Sequence, residues 1–200
     1  QKTFNFTHND LHTNNIMCYK TDKTYIYYCY DKTYYKVPTH GFIIKLIDFG
    51  RAIYKFRGNT ICSDSFSQRG DAATQYNCEP YFNDKKPRLN PNYSFDLCRL
   101  GCALYDYFIE DHNNLKDVCK IGLLVNEWCT DDKGKNILYK RNGNERYPDF
   151  KLYKMIARSV NNNIPSEQLK NPLFGSFIVS KKQIKRTASI VHIDNMPIFI

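Results

Sequence analysis

Asp10 and Asn15 lie five residues apart in a polar run, His8-Asn9-Asp10-Leu11-His12-Thr13-Asn14-Asn15, which ends on the apolar pair Ile16-Met17. A second carboxylate, Asp48, sits in Ile47-Asp48-Phe49-Gly50, at the end of an apolar run that starts at Phe42. A carboxylate can take the proton of a hydroxyl. Carboxylate and amide oxygens together are the ligands a hard cation such as magnesium prefers. Gly50 gives the chain freedom to turn sharply after Asp48.

Such residues need elements that bring two loops together. Residues 1 to 20 read as strand, loop and strand, with Phe4 and Phe6 alternating against polar neighbours before the polar run. Thr24 to Tyr30 is β-branched and aromatic, Asp31-Lys32 is a turn and Thr33 to Val37 returns, so residues 20 to 41 form an inserted hairpin. The aromatic residues Tyr25, Tyr27 and Tyr28 are expected to pack this hairpin on the rest of the chain, with a binding surface as the alternative. Phe42 to Ile47 is a further strand. Residues 50 to 92 are polar, broken by Gly58, Gly70, Pro80, Pro87 and Pro91, and read as a long loop segment of the kind that carries function.

Helices follow. Ser94 to Ile109 has a stripe of Leu97, Leu100, Leu104 and Phe108. Leu115 to Trp128 is the second, with Val118, Leu123 and Val125 among its apolar residues. Pro148 opens a third, with Phe150, Tyr153, Ala157 and Val160 on one face, and Pro165 a short fourth. Phe174 to Ile200 has no clear period. Strands first and helices after predict an α+β chain, mainly helical, with a small β-hairpin region.

The two motifs, in this order, resemble the catalytic loop (H-x-D-L-x-x-x-N) and the D-F-G motif of protein kinases. Ser94-Phe95-Asp96-Leu97-Cys98-Arg99-Leu100-Gly101 resembles the start of the central buried helix of the kinase large lobe. The resemblance runs from Thr7 to Ile109. It implies a C-terminal kinase lobe, with the catalytic loop and D-F-G region in residues 1–50, an activation segment in 51–93 and a helical subdomain in 94–200. The implied activity is transfer of the ATP γ-phosphate to Ser/Thr hydroxyls of proteins, with ATP and Mg2+ as cofactors. Phosphoryl transfer asks the protein mainly for positioning and charge neutralisation. Asp10 is then the base that orients the attacking hydroxyl, and Asn15 and Asp48 hold magnesium against the nucleotide. His8, Phe49, Gly50 and Asp96 are structural supports, Asp96 by accepting hydrogen bonds from the catalytic-loop backbone.

Departures from the family pattern carry expectations of their own. Neither a Gly-rich phosphate loop nor a strand Lys with its helix Glu precedes His8. The small lobe is therefore expected upstream of Gln1, and residues 1 to 200 alone are expected to be inactive and to expose an apolar face. Asn9 stands where many kinases carry the Arg that grips a phosphorylated activation segment. Phosphorylation of Thr60, Ser63, Ser65 or Ser67 is thus not expected to be required. His12 stands where many carry a Lys that contacts the transferring phosphate. Its imidazole N–H is the expected catalytic substitute, and a mere spacer in the loop is the alternative. Cys78-Glu79-Pro80 replaces Ala-Pro-Glu, with Arg158 the partner the resemblance offers to Glu79. Arg69 and Asp71 read either as substrate contacts or as a solvated pair. With its insert, the pattern most resembles divergent kinases of large DNA viruses.

Composition narrows the partners. The 200 residues carry a formal charge of +9, but the densest basic cluster, Lys181, Lys182, Lys185 and Arg186, is short and no nucleic-acid motif accompanies it. No nucleic-acid or membrane partner is expected, since no apolar run approaches 18 residues. The eight cysteines form no C-x-x-C pair, so they read as reduced thiols of an intracellular, cytoplasmic setting, a host cell or virion for a viral protein. Two rival functions remain. A small-molecule phosphotransferase of the aminoglycoside or choline kinase type typically lacks the D-F-G Gly and the long segment present here. A non-catalytic kinase-like scaffold has no need of intact Asp10, Asn15 and Asp48.

Overall fold

The two motifs are joined by a pair of short antiparallel strands, β1 (Ile16–Lys20) and β4 (Phe42–Leu46), in the register Ile16↔Leu46 to Lys20↔Phe42. The computed structural model describes residues 1–199. Because Asn15 directly precedes β1 and Ile47 directly follows β4, the pairing places the end of one motif beside the start of the other. The backbone N–H of Ile47 donates to the Asn15 carbonyl at 3.1 Å.

The insert between these strands forms β2 (Tyr25–Tyr30) and β3 (Thr33–Pro38), the expected hairpin. Its turn residues Asp31 and Lys32 take φ of +48° and +58°, the primed-turn geometry that two-residue hairpins favour. The hairpin does not stand alone. The tail supplies β7 (Ile178–Val179), antiparallel to β3, and β8 (Ile190–His192), parallel to β2, completing a four-stranded sheet. The segment after the second motif also holds a hairpin, β5 (Ile53–Phe56) with β6 (Asn59–Cys62), where the sequence pattern predicts only loop.

Among the described residues five helices pack below. They are α1 (Phe95–Phe108), α2 (Lys120–Trp128), α3 (Phe150–Ser159), α4 (Pro165–Gln168) and α5 (Pro172–Gly175). The core gathers Phe95, Cys98, Tyr105, Val125, Cys129, Ile137, Ile156 and Val160 with Ile53, Phe66 and Tyr76 from the long segment. All eight cysteines are free thiols, and Cys98 and Cys129 are core residues.

The expectation of a mainly helical chain is overturned: the fold is α+β with 27% helix and 21% strand. Three features account for the difference. The tail pairs as strands instead of ending irregularly. Side-chain oxygens of Asp111 and Asn114 accept from the backbone two residues on, holding turns where the second helix was expected to begin, so α2 starts at Lys120, capped by Cys119. Residues 130–147 form turns closed by the bridges Thr130↔Asn136 and Tyr139↔Glu145. In α1 the buried face is Phe95, Asp96, Cys98, Gly101 and Tyr105, while Leu97 and Leu100 are only partly covered. Gly101 is buried because α2 closes on it: a Cβ there would meet Cys129 Sγ at 3.0 Å and Trp128 Cβ at 3.1 Å. Among the described residues no helix is long and apolar enough to cross a membrane.

Candidate functional site

Asp96, in the first turn of α1, organises the first motif. Its two oxygens accept the backbone N–H groups of His8 at 2.8 Å and Asn9 at 2.9 Å. Burial pushes the Asp96 carboxyl above its ordinary value, and these two donors oppose the rise. His8 is buried, and its Nε2 lies 2.9 Å from the Ile47 carbonyl. A carbonyl only accepts, so the His8 proton sits on Nε2. His8 thereby ties the first motif to the second. Phe49 packs on it at 5.4 Å and on Phe6 at 5.9 Å.

Asn9 is fully buried with φ +60°, a region that Asn tolerates better than most residues. Its Nδ2 donates to Thr7 Oγ1 and to the Arg51 carbonyl, both at 3.1 Å, and its Oδ1 accepts from the Tyr76 hydroxyl at 3.0 Å. Asn9 is an internal clamp on the segment after Gly50. Ser63 caps a turn there by accepting from Ser65 N, and Thr60 lies on β6.

Asn15 is buried and donates Nδ2 to the Asp10 carbonyl at 2.9 Å. The amide nitrogen is committed, which leaves Oδ1 as the ligand atom. Asp48 is exposed, with φ +61°. The left-handed turn therefore falls on Asp48, whereas Gly50 was expected to supply the freedom to turn. Gly50 serves by lacking a Cβ, which would stand 3.3 Å from Asp48 Oδ1. Among the described residues no cluster of three or more His, Cys, Asp or Glu could hold a metal. One carboxylate and one amide still suit magnesium, which dehydrates reluctantly and takes few protein ligands when phosphates complete its shell.

The Asp10 side chain, 19% exposed, is surrounded by groups the motifs do not announce. Tyr153 of α3 donates its hydroxyl to Asp10 Oδ1 at 2.6 Å. Arg51 Nη1 stands 3.9 Å from Oδ2, and Arg51 Nη2 lies 4.0 Å from the exposed Asp71. The Arg51 guanidinium rests on the faces of Phe150 and Tyr153, at 5.5 and 5.4 Å. His12 Nε2 is 3.7 Å from Asp10 Oδ1 and 3.4 Å from Asn15 Nδ2. The fixed cation at Asp10 is therefore Arg51. Sequence reasoning misses Arg51, Arg99 and Tyr153; the only hint is that Arg51 directly follows Gly50. Glu79 pairs with Arg88 at 3.6 Å, not with Arg158. No protein-family model matches the sequence, and no curated protein matches it.

Proposed function

We propose that this chain carries phosphoryl-transfer machinery of the protein-kinase type, acting on Ser/Thr hydroxyls of proteins with ATP and magnesium. The observation that carries the reading is the bracing of the two motifs around Asp10, Asn15 and Asp48. Asp96 fixes the backbone before Asp10, Asn15 fixes the carbonyl of Asp10 itself, and the β1–β4 pair brings Ile47, the residue before Asp48, onto the Asn15 carbonyl. Such rigidity is what a positioning catalyst requires. When bound, magnesium supplies charge neutralisation on the phosphates; Asp48 and the Asn15 Oδ1 would hold it. Asp10 takes the proton of the acceptor hydroxyl. Arg51 adds a permanent positive charge beside that carboxylate, and His12 can offer an N–H. The free thiols suit an intracellular, reducing setting, and the motif pattern with its insert supports a viral kinase.

The contact of Tyr153 with Asp10 favours a second reading, a non-catalytic scaffold whose carboxylate is occupied. Transfer of labelled γ-phosphate by the natural protein carrying this sequence separates the two. Asp10→Asn should lower kcat by on the order of 10²-fold or more with nucleotide binding nearly unchanged. Asp48→Asn should instead weaken magnesium-dependent nucleotide binding, read by titration calorimetry. Undiminished turnover in Asp10→Asn would sink the assignment.

A further inference from the structure

The bond from Tyr153 to Asp10 spans 143 residues of chain at 2.6 Å. The phenol oxygen in turn accepts from Arg99 Nε at 3.0 Å. The ring stacks on Phe150 at 5.1 Å, tilts against Phe95 at 5.9 Å and carries the Arg51 guanidinium on its face. Burial pushes the phenol above its ordinary value, the bond to Asp10 adds to this and Arg99 opposes it, so the group is a donor at neutral pH. The terminal torsion of an aspartate is broad unless one oxygen is held. Here Oδ1 is held. Oδ2 has no hydrogen bond among the described residues and faces Arg51 at 3.9 Å.

We propose that Tyr153 is a positioning residue for Asp10: anchored by Arg99, its hydroxyl fixes Oδ1 and leaves Oδ2 as the atom that takes the acceptor's proton. The inference rests on the phosphotransfer reading above. In that step the acceptor O–H bond breaks and its proton passes to Oδ2. The oxygen bonds to the terminal phosphorus of ATP, and the bridging P–O bond breaks with its electron pair leaving on ADP. Tyr153 touches no reacting atom and acts only through Asp10.

A double-mutant cycle tests this, since Tyr153→Phe keeps the ring contacts and removes only the hydroxyl. Steady-state transfer is measured on the natural protein with magnesium-ATP and dephosphorylated casein, alongside thermal unfolding. Tyr153→Phe should lower kcat by roughly tenfold to a hundredfold, with KM for ATP nearly unchanged and any fall in Tm small enough to leave the protein fully folded at the assay temperature. In the Asp10→Asn background it should cause no further loss. A multiplicative loss in the double variant would overturn the proposal, as would a single variant as fast as or faster than wild type, which would make the hydroxyl idle or a plug. Wild type without Asp10-dependent transfer would fail the phosphotransfer reading and this proposal together. Active wild type matched by Tyr153→Phe would fail only the role of Tyr153.

Discussion

At the residue scale, Asn9 is where the sequence and the structure differ most instructively. Beside kinases it reads as a missing Arg. In the fold it satisfies Thr7, Arg51 and Tyr76 at once from a fully buried, positive-φ position. Removing its amide strands the buried Tyr76 hydroxyl and the Arg51 carbonyl, each costing about 1–3 kcal/mol if left unpaired. Asn9→Ala should therefore destabilise the chain by roughly 2–4 kcal/mol in urea unfolding, with the slope unchanged. Tyr76→Phe, which strands Asn9 Oδ1 and the Asn92 N–H that the phenol oxygen accepts at 3.3 Å, should also destabilise the chain. An Asn9→Ala chain as stable as wild type would mean that the buried amide contributes nothing. Asp10, Asn15, Asp48 and Asp96 are legible in the sequence because fixed local spacing exposes them. Tyr153 is not, because it counts as one more apolar residue in a helical stripe and its partner is distant in the chain. Arg51 is half legible: its place after Gly50 is visible, but the aromatic faces that hold it come from α3.

At the scale of elements, periodicity finds α1 within a residue at each end, and Leu104 and Phe108 of its stripe pack against the core, but it misses the most deeply buried face. Its packed positions include Cys98 and Gly101, small residues that a stripe of leucines outweighs. The insert hairpin is legible from its β-branched and aromatic run. Its union with the tail is not, since three-residue β8 carries no period and finds β2 across most of the chain. Asp194, just after β8, seals this union. Its carboxylate accepts the backbone N–H groups of Asp31 at 2.8 Å and Lys32 at 3.1 Å, at the tip of the hairpin, and Lys2 Nζ stands 3.2 Å away. Those backbone donors, then Lys2, lower the carboxyl from 3.8 to about 2. A depressed carboxyl contributes its full stabilisation above the unfolded value and loses it as pH falls through the folded one. The sheet should thus hold above about pH 4 and loosen progressively toward pH 2. Hydrogen exchange at Asp31 and Lys32 should accelerate across that window. In Asp194→Asn, protection should be weaker at neutral pH and nearly flat across the window. An unchanged acid acceleration in the variant would assign the effect to other carboxylates.

At the scale of the whole molecule, the core and the surface around the site are built to different standards. Below the site, α1, α2 and α3 enclose a continuous apolar core. Above it, β1 and β4 form a sheet of only two strands, a unit that is marginal by itself. The register puts Phe42, Ile44 and Leu46 on one face with Ile16 and Cys18, and Met17 and Tyr19 on the other. Phe42, Ile44 and Leu46 are exposed on the first face, Ile44 to 59%, and Met17 and Tyr19 on the second. Neighbouring Ile47 and Phe49 are exposed as well. Soluble monomers rarely leave contiguous apolar patches of more than a few hundred Å2 uncovered. Against association stands the formal charge of +9, which makes copies repel until salt screens it. The 200-residue chain should therefore bind a hydrophobic dye at low salt and self-associate as ionic strength and concentration rise, followed by sedimentation velocity. Ile44→Lys places a charge at the centre of the patch and buries nothing new, so it should reduce both signals and leave the circular dichroism of the fold unchanged. A wild-type chain that stays monomeric and dye-silent at every salt concentration would mean that this face is covered in solution.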